Sequence, residues 1–324
     1  MELLSNQEVY QTIISETKKG NMDNITRTEF YEKFYFQHPD ILWSLLASFV
    51  SRNAGWNMCD LEGEWFPKVL SKDFRNQLFS TYERANWLIF NDAYPQLLLY
   101  HYSTILQRSM FHLLPKFNVS KFMEKEWLHY WNYRDSRRLL YALIINEQNL
   151  IQKPVIDHPF YHSKVFQSLP FKLQDLFHYS VVIFPTCKGE LYGMSANQFV
   201  NLDKRIELGK SLASILFKNE IYDEFIKFIS TTTHTGSRYD YEQYFKDKKS
   251  RDTPFLRLQF PVIHHRKPTE RWDKGKQIKK RWYKTPKITN NIKITNWYKK
   301  KRKEIELFIT LEEWEKLHQK DKES

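Results

Sequence analysis

Glycine is scarce in this chain, with 8 residues among 324. Soluble proteins usually contain about 7% glycine, which supplies the positive φ angles that tight turns and phosphate-binding loops require. The chain contains neither a GxGxxG nor a GxxxxGK[ST] string, so a nucleotide site built on a glycine-rich loop is not indicated. A turn-rich β-sandwich is disfavoured for the same reason, and a helical fold is favoured.

Aromatic side chains are abundant, with 24 Phe, 19 Tyr and 10 Trp making 16% of the residues. Each ring buries a large apolar area, so the chain can form a substantial core although its mean hydropathy is -0.64. Disordered chains are poor in aromatic residues. We therefore expect an ordered, globular protein.

Capping residues and apolar spacing predict the first two helices. Thr26-Arg27-Thr28-Glu29 fits a capping box, which predicts a helix from there to His38. Apolar residues recur at helical spacing over 41–50, which predicts a second helix with one buried face. This helix is expected to stop near Ala54-Gly55, because glycine commonly follows a helix C-terminus.

The same signals continue along the chain. Pro95 is expected to interrupt the helical pattern, and Ser195–Gln198 fits a further capping box. The predicted helices cover about 73–91, 95–110, 119–134, 136–151, 196–218, 220–230 and 311–319.

Extended structure is predicted in a few short stretches. VVIFP at 181–185 is β-branched and bounded by proline, which is typical of a strand. Apolar residues alternate at 256–260, weakly at 292–294, and again at 305–309. We predict a mainly α fold: a helical, bundle-like globular domain over 1–250, with a minor β or extended element toward the C-terminus. A basic, partly extended segment over 251–324 is predicted to end in a short helix and to dock on the helical body.

The positive charge is concentrated in one part of the chain. The formal net charge is +12, and residues 261–303 hold 16 Lys or Arg against two acids, Glu270 and Asp273. Tryptophans and tyrosines interleave with these cations, and a nucleic-acid surface needs cations for phosphates and rings for bases. The candidate polyanion-binding residues are Arg271, Trp272, Lys279, Lys280, Arg281, Trp282, Trp297, Lys299, Lys300, Lys301 and Arg302.

Two other interpretations of the basic segment stay open. An AT-biased genome also produces a chain rich in Lys, Asn, Ile, Tyr and Phe, without any function for the cations. In this interpretation the segment is solvated, and its tryptophans attach it to the helical body. An anionic membrane surface is the other possible partner.

Three polar strings, at 51–53, 83–86 and 234–238, interrupt or follow apolar helical segments. They contain an arginine that suits bidentate binding of an anion. They also contain carboxylates whose pKa values burial would shift. The candidate polar pocket consists of Arg52, Asn53, Glu83, Asn86, Asp92, His234 and Arg238.

The same polar strings also have a purely structural explanation. A carboxylate on a nearly all-apolar helix needs a partner, and Glu83 is expected to pair with an arginine such as Arg52 or Arg238. Polar groups at the end of a buried helix satisfy backbone groups and turns.

No metal site and no cofactor are expected. HExxH and CxxC strings, the common ligand spacings of zinc sites, do not occur. The two cysteines, Cys59 and Cys187, indicate a reducing compartment. No apolar stretch approaches the roughly 18 residues of a membrane-spanning helix, and the N-terminal residues lack the pattern of a signal peptide. We predict a cytoplasmic protein.

Three long strings carry a family resemblance. They are NITRTEFYEKFYFQHPDILWSLLASFVSRNAGWNMCDL at 24–61, YERANWLIFNDAYPQLLLY at 82–100 and HTGSRYDYEQYF at 234–245. Together they resemble the YppC-like family of Bacillus and its relatives, a domain of unknown function, from about residue 20 toward the C-terminus. The resemblance implies a cytoplasmic bacterial protein, and it brings no activity, cofactor or catalytic residue to transfer.

Three functional hypotheses remain. The first is a non-enzymatic cytoplasmic protein that contacts a polyanion, foremost nucleic acid, through 261–303. The second is an enzyme or small-ligand binder whose pocket combines the SRN, ERAN and HTGSR motifs. The third is a structural or partner-binding protein, and whether the chain is an enzyme is left open.

Overall fold

The computed structural model describes residues 5–166, 181–195, 199–247, 250–287 and 292–323, with side chains described as far as residue 311. Helices of 13 or more residues dominate these ranges, so the prediction of a mainly α fold is confirmed. They are α1 (Asn6–Gly20), α2 (Asn24–Gln37), α3 (Leu42–Asp60), α4 (Lys72–Ile105), α5 (Lys121–Tyr133), α6 (Ser136–Leu150), α7 (Leu202–Leu216), α8 (Asn219–Thr231) and α9 (Thr295–Glu323).

Short helical segments connect the long helices. Two of them, Gln152–Ile156 and His162–Phe166, are π-helical turns, and Phe111–Phe117 and Lys280–Tyr283 are 3₁₀ turns. The remaining short α-helices are Phe66–Val69, Pro159–Tyr161, Tyr239–Glu242 and Leu256–Gln259.

The predicted strand at 181–185 is confirmed. It forms β1 (Val181–Pro185), which pairs antiparallel with β2 (Leu191–Ser195) in a register that sets Ile183 opposite Gly193. Residues 292–294 add an extended piece beside β2, because the Gly193 amide donates to the Ile292 carbonyl at 3.0 Å. Lys293 completes it with an isolated bridge to Tyr192.

Helix α2 begins one turn earlier than its capping box predicted. Asp23, not Thr26, is the N-cap, and its carboxylate accepts from the Thr26 amide at 2.7 Å. The prediction that Thr26 caps the helix is therefore wrong. The predicted end at His38 is confirmed.

Helices α3 and α4 run through their predicted breaks. Helix α3 does not stop at Ala54-Gly55 but continues to Asp60. Pro95 lies inside the single helix α4, and the prediction of two helices there is wrong. Proline removes one backbone donor from a helix, but Pro95 is buried, and packing against α1, α2 and α3 maintains the helix.

The predicted helices at 119–134, 136–151 and 220–230 are confirmed as α5, α6 and α8. Helix α7 begins at Leu202 with Asn201 as its N-cap rather than at 196. Of the capping box predicted for it, residues 196–198 lie outside the described ranges.

Two of the three alternating patterns near the C-terminus, at 256–260 and 305–309, proved helical. Leu256–Gln259 is a short helix, and residues 305–309 belong to α9. Ile305 and Ile309 are four residues apart and share a helix face, and Ile309 is 1% exposed while Leu307 is 62% exposed. Three alternating apolar residues are too few to distinguish the period of a strand from that of a helix. With residues 305–309 included, α9 is much longer than the short helix predicted at 311–319.

The core is centred on α3, which packs against α2, α4, α6 and β1. Trp43 and Trp56 of α3 and Trp127 of α5 are among its fully buried side chains. A second, smaller cluster contains the last turn of α3, the first half of α4 and the π-helical turns. Within the described residues, no helix combines the length and apolar character needed to cross a membrane.

Candidate functional site

The loop that carries the HTGSR motif packs against α2 and α3. The His234 Nε2 lies 2.8 Å from Asn24 Oδ1, and its Nδ1 lies 3.3 Å from Asp240 Oδ2. Asp240 also accepts from Trp56 Nε1 at 3.0 Å. Burial lowers the pKa of His234, while the hydrogen bond to Asp240 opposes the shift, and the imidazole connects the loop to α2. Both ring nitrogens are engaged by the protein itself.

Gly55 makes this connection possible. A Cβ at this position would stand 2.3 Å from Asn24 Oδ1 and 2.8 Å from His234 Nε2. These separations are far below van der Waals contact. The glycine in the middle of α3 is therefore required by a close tertiary approach and not by the end of the helix.

Glu83 forms the structural ion pair that its apolar helix predicted, but with a different arginine. Its partner is Arg27 of α2, and the two side chains are 5% and 1% exposed. Arg52 instead contacts Glu32 at 2.7 Å and donates to the Thr232 carbonyl at 3.1 Å. The expectation that Arg52 or Arg238 pairs with Glu83 is wrong, because Arg27 lies buried within α2 and takes the position beside Glu83.

Asn86 and Asp92 lie in separate surroundings. The Asn86 amide donates to the Tyr82 carbonyl of its own helix at 2.8 Å. Asp92 accepts from Asn146 at 2.7 Å and from Gln96 at 2.8 Å. The seven candidate pocket residues thus divide among several networks, and most of them are satisfied locally.

Two of the seven, Asn53 and Arg238, line a cavity of about 320 Å³. The cavity lies between the C-terminal half of α3, the segment 63–70, the first half of α4, β1 and α9. Asn53 lines the cavity, and its side-chain amide exchanges two 2.8 Å hydrogen bonds with the backbone of Ile183. Most of the wall is apolar or aromatic, including Trp65, Phe74, Leu78, Tyr82, Trp297 and Ile305.

A network of charged side chains borders the cavity, and four of its members, Asp60, Arg238, Arg302 and Glu306, line it. Arg238 contacts Asp60 at 2.5 Å and Asp252 at 3.2 Å. Arg302 of α9 contacts Asp252 at 2.7 Å, Glu306 at 3.4 Å and Glu242 at 3.5 Å. We call Asp60, Arg238, Glu242, Asp252, Arg302 and Glu306 the charged network.

Asp60 is the titrating member of the charged network. Burial raises the pKa of Asp60 to about 7, although the guanidinium of Arg238 opposes the shift. Glu242 and Asp252 add to the rise through their negative charges. The carboxyl therefore changes its protonation state near neutral pH.

The acids of this network were not among the candidates. Glu242 and Asp252 lie close in sequence to Arg238, and Glu306 lies four residues beyond Arg302, a spacing at which opposite charges pair on a helix. That spacing was a usable signal. The alternating pattern at 305–309 predicts a strand instead, and Arg302 lies in a run of cations that predicts an exposed surface.

Comparison with known proteins places this architecture in a family. The model of the family described as "Protein of unknown function (DUF2515)" matches residues 19–299. The chain belongs to the DUF2515 family. It is 46% identical over 310 residues to the uncharacterized protein YppC of Bacillus subtilis (strain 168), covering 95% of this chain and 96% of that relative. No solved structure shows significant similarity.

In this DUF2515 protein, the tryptophans of the basic segment are packed against the helical body. Trp282 is 5% exposed and donates to Asp203 at 2.6 Å. Trp272 donates to Asn146 at 2.8 Å. A ring buried in the core cannot stack on a base, so Trp282 is no longer a candidate polyanion-binding residue.

Many cations of the basic segment already have partners. Lys279 and Arg281 contact Asp203 at 3.3 and 2.5 Å, and Arg271 lies 3.7 Å from Glu124. The distances from Lys299 to Asp247 and from Lys301 and Lys300 to Glu304 are 3.2, 2.8 and 3.9 Å.

Arg302 and Trp297 line the cavity and do not form an outer binding surface. Arg302 is 8% exposed, and Trp297 lines the cavity wall. Arg302 is therefore withdrawn from the polyanion-binding candidates for the same reason as Trp282. Lys280, in contrast, is exposed.

Among the described residues of this DUF2515 protein, no group of three or more His, Cys, Asp or Glu is arranged to hold a metal ion. Cys59 and Cys187 are both free thiols. Burial raises the pKa of the Cys59 thiol well above its usual range, which makes it a poor nucleophile.

Proposed function

We propose that this protein binds a small organic molecule in the cavity between α3, α4 and α9. The observation that carries the proposal is the cavity itself: about 320 Å³ of space with a largely apolar wall and a few charged side chains in its lining. Protein interiors are close-packed and leave few voids larger than a water molecule. Ligand pockets are typically apolar clefts of about 300–1,000 Å³ with a few convergent polar groups.

The walls come from distant parts of the sequence. Helix α9 contributes Trp297, Tyr298 and Ile305, while α3 and α4 contribute residues more than two hundred positions earlier. Glu64 and Phe308, which also line the cavity, are exposed. This edge gives a ligand a route from solvent.

The contacts in the cavity favour ligand binding over catalysis. Catalytic acid–base groups must reach the substrate, whereas His234 is held by Asn24 and Asp240 and does not line the cavity. Arg238 and Asp60 are engaged with each other. Their arrangement suits the orientation of a polar group on a ligand.

A variant that fills the cavity tests the proposal. Ile305→Trp inserts a large ring into the space, while Leu307→Trp makes the same chemical change on the exposed face of α9. A fragment library screened by thermal shift should give ligands that stabilise the wild type, since a ligand that prefers the folded state raises the midpoint.

The expected result is that Ile305→Trp abolishes the ligand-induced shift and Leu307→Trp retains it. Hits that stabilise both variants equally bind elsewhere and would overturn the proposal. A complete absence of hits in the wild type would count against it as well.

A second candidate function has its own observation. Lys276, Lys280, Lys284 and Lys287 are exposed and form no ion pair with the described residues. We propose that these lysines bind nucleic acid by charge alone, without stacking. Neutralised phosphates release counterions, so the affinity must fall steeply with salt.

The test is fluorescence anisotropy with a labelled single-stranded oligonucleotide at several salt concentrations. Changing Lys276, Lys280 and Lys284 to alanine should reduce the slope of log K against log salt by about 2. A control with Lys33, Lys72 and Lys125 changed to alanine alters the net charge equally at other exposed positions. Equal losses in both triple variants would show a general charge effect and refute a specific surface.

The cytoplasm is our proposed location. Both cysteines are free thiols, as a reducing compartment requires. Fractionation of cells that express the full chain with a small tag provides the test, and recovery of the protein outside the cytoplasm would contradict it.

A further inference from the structure

We infer that the cavity selects an uncharged aromatic molecule with a hydrogen-bonding group, and that Asn57 of α3 recognises this group. The inference rests on the proposed function, because it names the class of ligand for the same cavity. Three observations support it: a polar side chain without a partner in the described protein, lining charges that balance one another, and aromatic rings in the wall that contact no other ring.

Three polar side chains of α3 line the cavity. Asn53, Asn57 and Asp60 follow one another at spacings of four and three residues, so they share one face of the helix. Asn53 is bonded to the backbone of Ile183, and Asp60 is paired with Arg238. Asn57, between them, forms no side-chain hydrogen bond with a described residue. Its carboxamide therefore stays available to water or to a ligand.

The carboxamide of Asn57 determines which polar group a ligand needs. It offers an N–H donor beside a carbonyl acceptor, and it is half-buried, so water satisfies it as long as no ligand is bound. A ligand group that displaces this water without replacing its hydrogen bonds loses affinity. An amide, or another group with a donor next to an acceptor, replaces both hydrogen bonds at once.

The charged side chains of the lining balance one another. They are three acids and three bases: Asp60, Glu64, Glu306, Arg238, Lys301 and Arg302. Each base already has a carboxylate partner, at 2.5 Å for Arg238, 2.8 Å for Lys301 and 3.4 Å for Arg302. Glu64 is exposed at the edge, where water weakens its attraction for a counter-charge. An ionised ligand would thus leave water without gaining a free counter-charge inside the cavity, which is costly.

Aromatic side chains form much of the remaining wall. The ring of Trp65 is already covered, because the Lys68 Nζ lies 4.6 Å from its centroid. Phe66, Phe74 and Trp297 are half-buried, line the cavity and form no ring pair with a described aromatic side chain. Rings attract one another in offset or edge-to-face contacts beyond the effect of buried area. An aromatic ligand therefore gains contacts that a saturated ligand of the same shape lacks.

Probes of one shape separate charge from hydrogen bonding. Isothermal titration of the full chain would use naphthalene-2-carboxamide and the matching carboxylate and amidinium ions. At pH 8 Asp60 is mostly ionised, since its pKa is about 7, and the charges of the lining then balance. The amide is expected to bind at least tenfold more tightly than either ion. It should also bind several-fold more tightly than decahydronaphthalene-2-carboxamide, its saturated counterpart.

Asn57→Leu tests the recognition residue. The change keeps the approximate size of the side chain and removes both the donor and the acceptor. It should weaken binding of the amide at least tenfold and leave 2-methylnaphthalene, which lacks the amide, bound equally or more tightly. Asn76→Leu makes the same change at an exposed position of α4 outside the cavity, and it should alter neither affinity.

The outcomes distinguish this inference from the proposed function. Equal or tighter binding of an ion or of the saturated amide, no binding of the aromatic amide, or unchanged amide affinity in Asn57→Leu overturns the inference. If other ligands then still respond to Ile305→Trp, the cavity remains a binding site. If the amide binds and Ile305→Trp has no effect on it, the site lies elsewhere and both proposals fall.

Discussion

Arg27 of α2 donates a hydrogen bond through Nη2 to Glu83 Oε2 of α4, in an ion pair that is almost completely excluded from water. Burial raises the pKa of Glu83, and the arginine opposes that shift. Arg27 also donates to Asn21 at 3.1 Å, in the turn between α1 and α2. One buried charge pair thus connects three helices.

Breaking this pair should destabilise the protein strongly. Glu83→Gln is expected to lower the free energy of unfolding by about 3–5 kcal/mol, because it leaves the Arg27 charge buried without compensation. The measurement is urea denaturation followed by tryptophan fluorescence.

The double change at Arg27 and Glu83 supplies the control. Arg27→Met with Glu83→Gln should cost less than the sum of the two single changes, since neither variant side chain leaves a lone charge. Additive losses would contradict direct coupling. Glu16→Gln, which removes a partner from the exposed Lys19 pair, should have little effect.

Gly55→Ala should destabilise the protein although alanine is the better helix former. In an unhindered helix this change stabilises by up to about 1 kcal/mol, but here the new Cβ would collide with Asn24 and His234. We expect a net loss of more than about 2 kcal/mol in thermal or chemical unfolding. In an Asn24→Ala background, the additional cost of Gly55→Ala should be smaller, and an unchanged cost would exclude this collision as the cause.

The pKa of Asp60 predicts a pH dependence of stability. Burial raises this pKa from 3.8 to about 7, so between these values the folded state binds the proton more tightly than the unfolded chain. Stability contributed by this group is present at low pH and is lost as the pH rises through about 7. Asp60→Asn removes the effect, and its unfolding free energy relative to wild type should increase by on the order of 2 kcal/mol from pH 5 to pH 8.

The groups facing Asp60 determine the size of this effect. They are Arg238 and Glu242 beside the HTGSR loop, Asp252 from the following segment, and Tyr298 from α9, whose own pKa the Asp60 charge helps to raise. Asp223→Asn, at an exposed acid outside the charged network, controls for the overall loss of one charge. A difference between Asp60→Asn and wild type that stays constant with pH would show that Asp60 does not titrate in this range.

Trp282→Ala distinguishes an anchoring ring from a base-stacking ring. Because Trp282 is buried and bonded to Asp203, its removal should cost about 3–5 kcal/mol of stability. Lys280→Ala, two residues away and exposed, should change stability by less than about 0.5 kcal/mol. A stable Trp282→Ala variant with a large loss of oligonucleotide affinity would reverse this assignment.

Much of the helical architecture could be predicted from local sequence. Helices α5, α6 and α8 and the strand β1 form where periodicity and bounding residues place them. These elements follow from interactions over a few residues. The breaks predicted at Gly55 and Pro95 failed, since in both places contacts from distant segments outweigh the preference of one residue.

The candidate site was predictable in kind but not in its partners. The sequence indicated that Glu83 required an arginine, and it identified Asn53 and Arg238 as residues of interest. It could not indicate that Arg27 turns inward or that Arg302 joins Asp252, because pair distances depend on how helices cross.

The sequence by itself therefore determined the helical class, the aromatic core and the presence of buried charges that need partners. Periodicity depends on neighbouring residues and composition on the whole chain, so both can be determined from one sequence. Only the tertiary structure decided that the end of α3, the start of α4 and helix α9 enclose a cavity. The physical reason is that a cavity is space left between packed elements, and its volume and charge depend on relative positions that no local pattern specifies.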